Sequence, residues 1–177
     1  MFHESLFSPS PFPCTLMSDD RPLRSAEDLA QDMDHRVIVH TPAAGFRTGV
    51  AVRQHTIVAD EPVAVGGTDE GPTPYDLLGA ALGTCTAMTL RMYADRKGWP
   101  LEGITVHVEH DRLHADDCAT CDTDEGHIDR LRRTLTLDGP LDDEQRTRLV
   151  EIADRCPVHR TLEGEIVIDT TLAPHDA

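Results

Sequence analysis

The five cysteines of this 177-residue chain are its most versatile chemical groups, and two of them sit in apolar sequence. Cys85 lies in Leu82-Gly83-Thr84-Cys85-Thr86-Ala87-Met88-Thr89-Leu90, within a run that has no charged residue from Leu77 to Leu90. That setting admits two readings: an inert hydrophobe in a core, or a thiol set in an apolar wall for a reaction. A reactive Cys85 needs a neighbouring cation to lower its thiol pKa from about 8.5. Cys156 precedes Pro157 and ends a stretch that puts Leu149, Ile152, Ala153 and Cys156 on one helical face. Both thiols therefore aim inward, and they approach each other if their helices pack on one sheet.

A third cluster is His114-x3-Cys118-x2-Cys121-x5-His127. Its four soft ligands suit tetrahedral zinc. A CxxC pair also suits dithiol redox chemistry, although this one is not at a strand-to-helix turn. An ordinary reduced loop is the third reading, and all three stay open. No cofactor is required by the rest of the sequence, so zinc at Cys118 and Cys121 is the one metal option. Among the histidines, His107 and His110 fall on or beside a strand, which fits a surface or half-buried role. His159 follows Cys156 closely enough to tune it.

Positioning these groups takes a mixed set of elements. Residues 36–41 and 46 to about 60 read as two strands joined by the turn Thr41-Pro-Ala-Ala-Gly45. After the Gly/Pro loop at 66–72, Thr73 can cap a helix with Pro74 at its first position and Asp76 completing a capping arrangement. Gly98 and Pro100 stop that helix at about Lys97, giving a rod of roughly 35 Å at ~1.5 Å per residue. Its first half is apolar nearly all round. It is expected to be a buried central helix, with Leu78, Ala81, Leu82, Cys85, Met88 and Met92 facing its packing partner. Strands follow at 103–110, with Ile104, Val106 and Val108 on one face, and at about 128–138, with Leu131, Leu135 and Leu137 matching them. A second helix is expected from about Leu141 to Cys156, and a last strand over Glu165 to Thr171. The fold class is α+β, with an ordered domain over 31–172, a disordered tail over 1–30 and a short tail over 173–177. Met17 is a second candidate start.

Charge narrows the function. Acidic residues outnumber basic ones 32 to 16, for a net charge of −16. A surface this anionic repels phosphate backbones and anionic lipid, which argues against nucleic-acid and membrane roles. Only 4% of residues are aromatic against 39% hydrophobic, so the core is aliphatic. No apolar run approaches the roughly 18 residues that span a bilayer, and the first residues lack a secretory pattern. A cytoplasmic address with reduced thiols is expected.

The series Gly71-Pro-Thr-Pro-Tyr-Asp-Leu-Leu-Gly-Ala-Ala-Leu-Gly-Thr-Cys85-Thr-Ala-Met, with the later Cys156-Pro-Val-His-Arg-Thr-Leu-Glu-Gly, resembles the OsmC/Ohr family over about residues 37 to 172. The likeness is to its general OsmC-like branch. It implies an antiparallel sheet packed on a long central helix in an intertwined homodimer, with two active sites at the subunit interface. It also implies a thiol peroxidase of oxidative-stress defence. Cys85 would attack an organic hydroperoxide or hydrogen peroxide, Cys156 would condense with the resulting sulfenic acid, and a small dithiol or lipoyl protein would reduce the disulfide. The family arginine over the thiolate falls to Arg47, with Arg53 second. The best-studied family peroxidases hold that arginine with a glutamate ten residues before the reactive cysteine. Tyr75 occupies that position here, and its neighbour Asp76 either stands in or caps the helix. A second reading follows from this departure: a binding or regulatory module with an apolar pocket for a small hydrophobic ligand and little turnover.

Overall fold

A computed structural model of the chain describes residues 37–114 and 126–173. The tail expected over 1–30, the C-terminal one beyond Ala173, and Cys14, Cys118 and Cys121 lie outside these residues. The described chain begins with a three-stranded antiparallel sheet, β1 (Val37–His40), β2 (Thr48–Val52) and β3 (His55–Ala59). One strand was expected from 46 to about 60; two form, because the chain reverses at Arg53-Gln54 between the paired Val52 and His55. Arg53 takes φ 55°, a conformation that hairpins usually assign to Gly or Asn, so no turn signal marked it.

Beyond β3, one carboxylate organises the loop. Asp60 is buried and accepts hydrogen bonds from the Thr68 hydroxyl (2.6 Å) and from the backbone N–H groups of Glu61, Thr68 and Glu70 (2.8, 3.0 and 3.2 Å). The Thr68 hydroxyl above all, then these N–H groups, outweigh desolvation and hold its carboxyl at about 2. Gly67 lets the loop close, since a Cβ there would run into the Glu61 carbonyl.

Helix α1 spans Pro74–Lys97. Thr73 Oγ1 accepts the Asp76 N–H while the Asp76 carboxylate accepts the Thr73 N–H and hydroxyl, a complete capping box. Asp76 is therefore used as the cap. Gly98, at φ 64°, closes the other end. Strands β4 (Gly103–His114) and β5 (His127–Asp138) pair antiparallel from Gly103↔Asp138 to His114↔His127. Helix α1 lies on β4, with the buried Gly83 set against Val106 and Val108 of that strand. Helix α2 (Asp143–Ala153), capped by Asp142 and Gln145, and the short α3 (Pro157–Leu162) follow β5. Leu90 and Ala94 of α1, Leu101, Leu141, and Leu149, Ile152 and Ala153 of α2 form the core.

Three expectations need correction. The buried face of α1 runs through Leu82, Gly83, Thr86, Leu90 and Ala94, not through the stripe ending in Met88 and Met92, which are 62% and 73% exposed. Apolar residues surround the first half of this helix, so periodicity could not tell which side meets the sheet. Helix α2 ends at Ala153, short of Cys156, because α3 starts anew at Pro157 with Cys156 as its cap. Residues 165–171 join no sheet among the described residues, and Ile166, Val167 and Ile168 are exposed. A strand needs a partner for its backbone groups, and the described chain offers this segment none. No helix among the described residues is long and apolar enough to cross a membrane.

Candidate active site

Cys156 is fully buried where α2 gives way to α3. Its Sγ accepts the His159 backbone N–H at 3.3 Å and lies 3.7 Å from the Thr86 hydroxyl of α1. The Cys85 thiol is near enough to help lower that of Cys156, and Thr86, the next residue along α1, carries the hydroxyl that faces the sulfur. Burial pushes the Cys156 thiol up. The His159 N–H, the Thr86 hydroxyl, the Cys85 thiol and the Arg133 charge together outweigh that and bring it below the ordinary thiol value. His159 acts on Cys156 through its backbone, while its ring turns to Glu163 at 2.9 Å.

Arg133 was not among the cations considered from the sequence. From β5 it donates to Thr86 Oγ1 at 2.9 Å, to the Ala153 carbonyl at 3.2 Å and to Asp154 at 2.8 Å. A signal existed: Leu131, Arg133, Leu135 and Leu137 alternate on the inward face of β5, so a charge interrupts an apolar register.

Cys85 is half-buried in mid-helix, where the helix dipole gives it little help. Arg47 is paired with Glu70, Nε to Oε2 at 2.6 Å, on the side of the molecule that Asp60 organises. The arginine thus has a carboxylate partner, though from the loop before α1. Tyr75 is used elsewhere: it stacks on His110 at 4.3 Å, and His110 in turn contacts Asp129 at 2.9 Å. An apolar groove of about 340 Å³ is lined by Val39, Phe46, Val50 and Leu77 among others; neither Arg47 nor Cys85 lines it. His114 and His127 meet edge to face with ring centroids 5.4 Å apart, and among the described residues no three potential metal ligands converge. Chemically, the arrangement offers two free cysteines close together, one of them buried among a backbone N–H, a hydroxyl and a cation that favour its ionised form.

The family model described as OsmC-like protein matches residues 67–171, a span that contains both cysteines. Among solved structures, an OsmC-like protein from Mycoplasma pneumoniae superposes with a TM-score of 0.59 at 20% identity, covering 75% of this chain and 89% of that one. An organic hydroperoxide resistance protein OsmC from Legionella pneumophila gives 0.54 at 17% identity, with 73% and 90% covered. The organic hydroperoxide resistance protein OhrB of Bacillus subtilis gives 0.51 at 18% identity, with 73% and 91% covered. At these identities the likeness is one of fold. No curated protein matches the chain.

Proposed function

The chain belongs to the OsmC-like protein family, and from that premise we propose that it reduces hydroperoxides with Cys85 and Cys156. The single observation that supports this reading is the nearness of Cys156 to α1 at Cys85: the hydroxyl of Thr86, the next residue, lies 3.7 Å from Cys156 Sγ. In the reaction, the Cys85 thiolate attacks the O–O bond, an alcohol or water leaves, and Cys85 becomes a sulfenic acid. Cys156 then displaces hydroxide from that sulfur to give a disulfide, which a dithiol or lipoyl protein reduces. Arg47, held by Glu70, is the cation proposed for the Cys85 thiolate, and the apolar groove that includes its sequence neighbours Phe46 and Thr48 is proposed for the hydrocarbon part of an organic peroxide. Family members named for hydroperoxide resistance support a role in oxidative stress.

The proposal includes a homodimer. Met88 and Met92 leave an apolar stripe of α1 open, and the exposed 165–171 segment lacks a sheet to join. Exposed apolar surface and unpaired extended backbone are features that a second copy would cover. The test is to add cumene hydroperoxide or hydrogen peroxide to reduced protein, count free thiols and map any disulfide by mass spectrometry. Loss of two thiols with a Cys85–Cys156 bridge is expected. Thiols unchanged in several-fold excess of peroxide would end the peroxidase reading and leave a module that binds a small hydrophobic ligand.

A further inference from the structure

We infer that Arg133 is a positioning residue which, through Thr86, prepares Cys156 to attack the sulfur of Cys85; this rests on the dithiol reading above. Packing alone does not call for an arginine here. Its side chain is 11% exposed on a strand face otherwise carrying Leu131, Leu135 and Leu137, where a leucine would continue the register. A charge in that position is costly unless its donors are all engaged. Arg133 spends its donors on three oxygens that cluster at the cysteine: Thr86 Oγ1, the Ala153 carbonyl and the Asp154 carboxylate.

The hydroxyl of Thr86 is what links the charge to the sulfur. Thr86 is fully buried and has one hydroxyl hydrogen for two acceptors, the Leu82 carbonyl at 2.8 Å and Cys156 Sγ at 3.7 Å. Because Arg133 donates into Oγ1, that oxygen is polarised and its hydrogen is the better donor. While Cys156 is a thiol, the Leu82 carbonyl holds this hydrogen. Once Cys156 ionises, rotation of the hydroxyl delivers it to the sulfur, so the thiolate gains a partner that the thiol lacks.

The groups facing Cys156 come from every element around it. Thr86 and Cys85 project from α1 and Arg133 from β5, Asp154 ends α2, and the His159 N–H belongs to α3. Asp154 offsets part of the arginine's charge from an exposed position, and the His159 ring is turned to Glu163. In the step itself, the Cys156 thiolate forms the S–S bond to the Cys85 sulfenic acid. The S–O bond breaks, and the departing hydroxide takes a proton to become water. The hydroperoxide has already supplied the oxidising equivalent.

Two readouts test this separately from the peroxidase reading. In a full-length chain with the other four cysteines replaced by serine, the pH midpoint of Cys156 ionisation is followed by thiolate ultraviolet absorbance. Arg133→Met is expected to raise that midpoint by about one pH unit. Arg133→Lys should recover most of the shift, and Thr86→Val, which keeps the packing volume, should raise it in the same direction. In the chain with its natural cysteines, a stoichiometric pulse of hydroperoxide should give Cys85 sulfenate, trapped by dimedone, at the same rate in Arg133→Met and the natural chain. Disulfide formation should be about tenfold slower at neutral pH in the variant, as one pH unit implies. A midpoint unmoved in Thr86→Val and in whichever Arg133 variant retains a cooperative melt would overturn the inference. The ionisation readout needs no peroxide, so a chain that never forms sulfenate would sink the peroxidase reading and leave this one to be judged on the midpoint alone.

Discussion

The two cysteines are neighbours, yet they live in opposite surroundings. On the Cys156 side everything the thiol uses is supplied by the chain itself: a capping N–H, a buried hydroxyl and an engaged arginine. Around Cys85 the helix turns Met88 and Met92 outward, and Arg47, the cation proposed for it, is half-exposed and bonded to Glu70. An exposed ion pair of that kind contributes about 0–1 kcal/mol to stability, so Arg47 is not placed there by any demand of folding. The contrast teaches that one half of the site is closed by the fold and the other is left open. A second copy of the chain is the proposed closure.

The largest expected effect separates the cysteines by role. Cys85→Ser should abolish peroxide consumption altogether, whereas Cys156→Ser should still allow one turnover to a trappable sulfenate. Equal loss in both variants, with no sulfenate in either, would contradict the assigned roles. A pair of variants in α1 sharpens the comparison next. Leu90→Ala removes a fully buried side chain from the closed half and should cost about 2–5 kcal/mol in chemical denaturation. Met88→Asp combined with Met92→Asp changes exposed positions only, so its expected signature is size: elution moves from dimer to monomer in gel filtration. Dimer elution that is unchanged in the double variant would show that the open face of α1 is not the interface.

Much of this was legible in the residues. The capping box at Thr73 and Asp76, the stop at Gly98, and the alternation of β4 and β5 all follow local rules that the chain obeys. The apolar sequence around Cys85 and Cys156 marks both thiols, and Cys156 is fully buried while Cys85 is half-buried. Local rules fail where the deciding partner is distant. Which side of α1 is buried depends on its packing against β4, and an apolar helix does not announce that choice. Residues 165–171 have strand composition, but a strand needs a neighbour that composition cannot provide. Arg133 was passed over because its register was read for the leucines it interrupts. The charge inside the apolar face was the better clue.

The smallest effect concerns how the open side is ordered at all. Asp60 gathers Thr68 and the Glu70 N–H, and through that bond it sets the segment from which Glu70 reaches Arg47. Its folded pKa is lowered to about 2 from 3.8, so as pH falls the unfolded chain takes up the proton first. The stability it contributes is therefore present above about pH 4 and lost as pH falls through about 2. Asp60→Asn should melt below the natural chain at neutral pH, and the gap between the two should narrow across that acid window. The loss should be smaller than that of Leu90→Ala, because the contacts lie in a loop and leave the core intact. A gap that stays constant from neutral pH down to 2 would mean that the Asp60 charge does not order this loop. Should the gap close as expected and peroxide consumption fall in Asp60→Asn at neutral pH, the carboxylate would be acting on Cys85 through Glu70 and Arg47. The open half would then depend on one buried acid much as the closed half depends on one buried arginine.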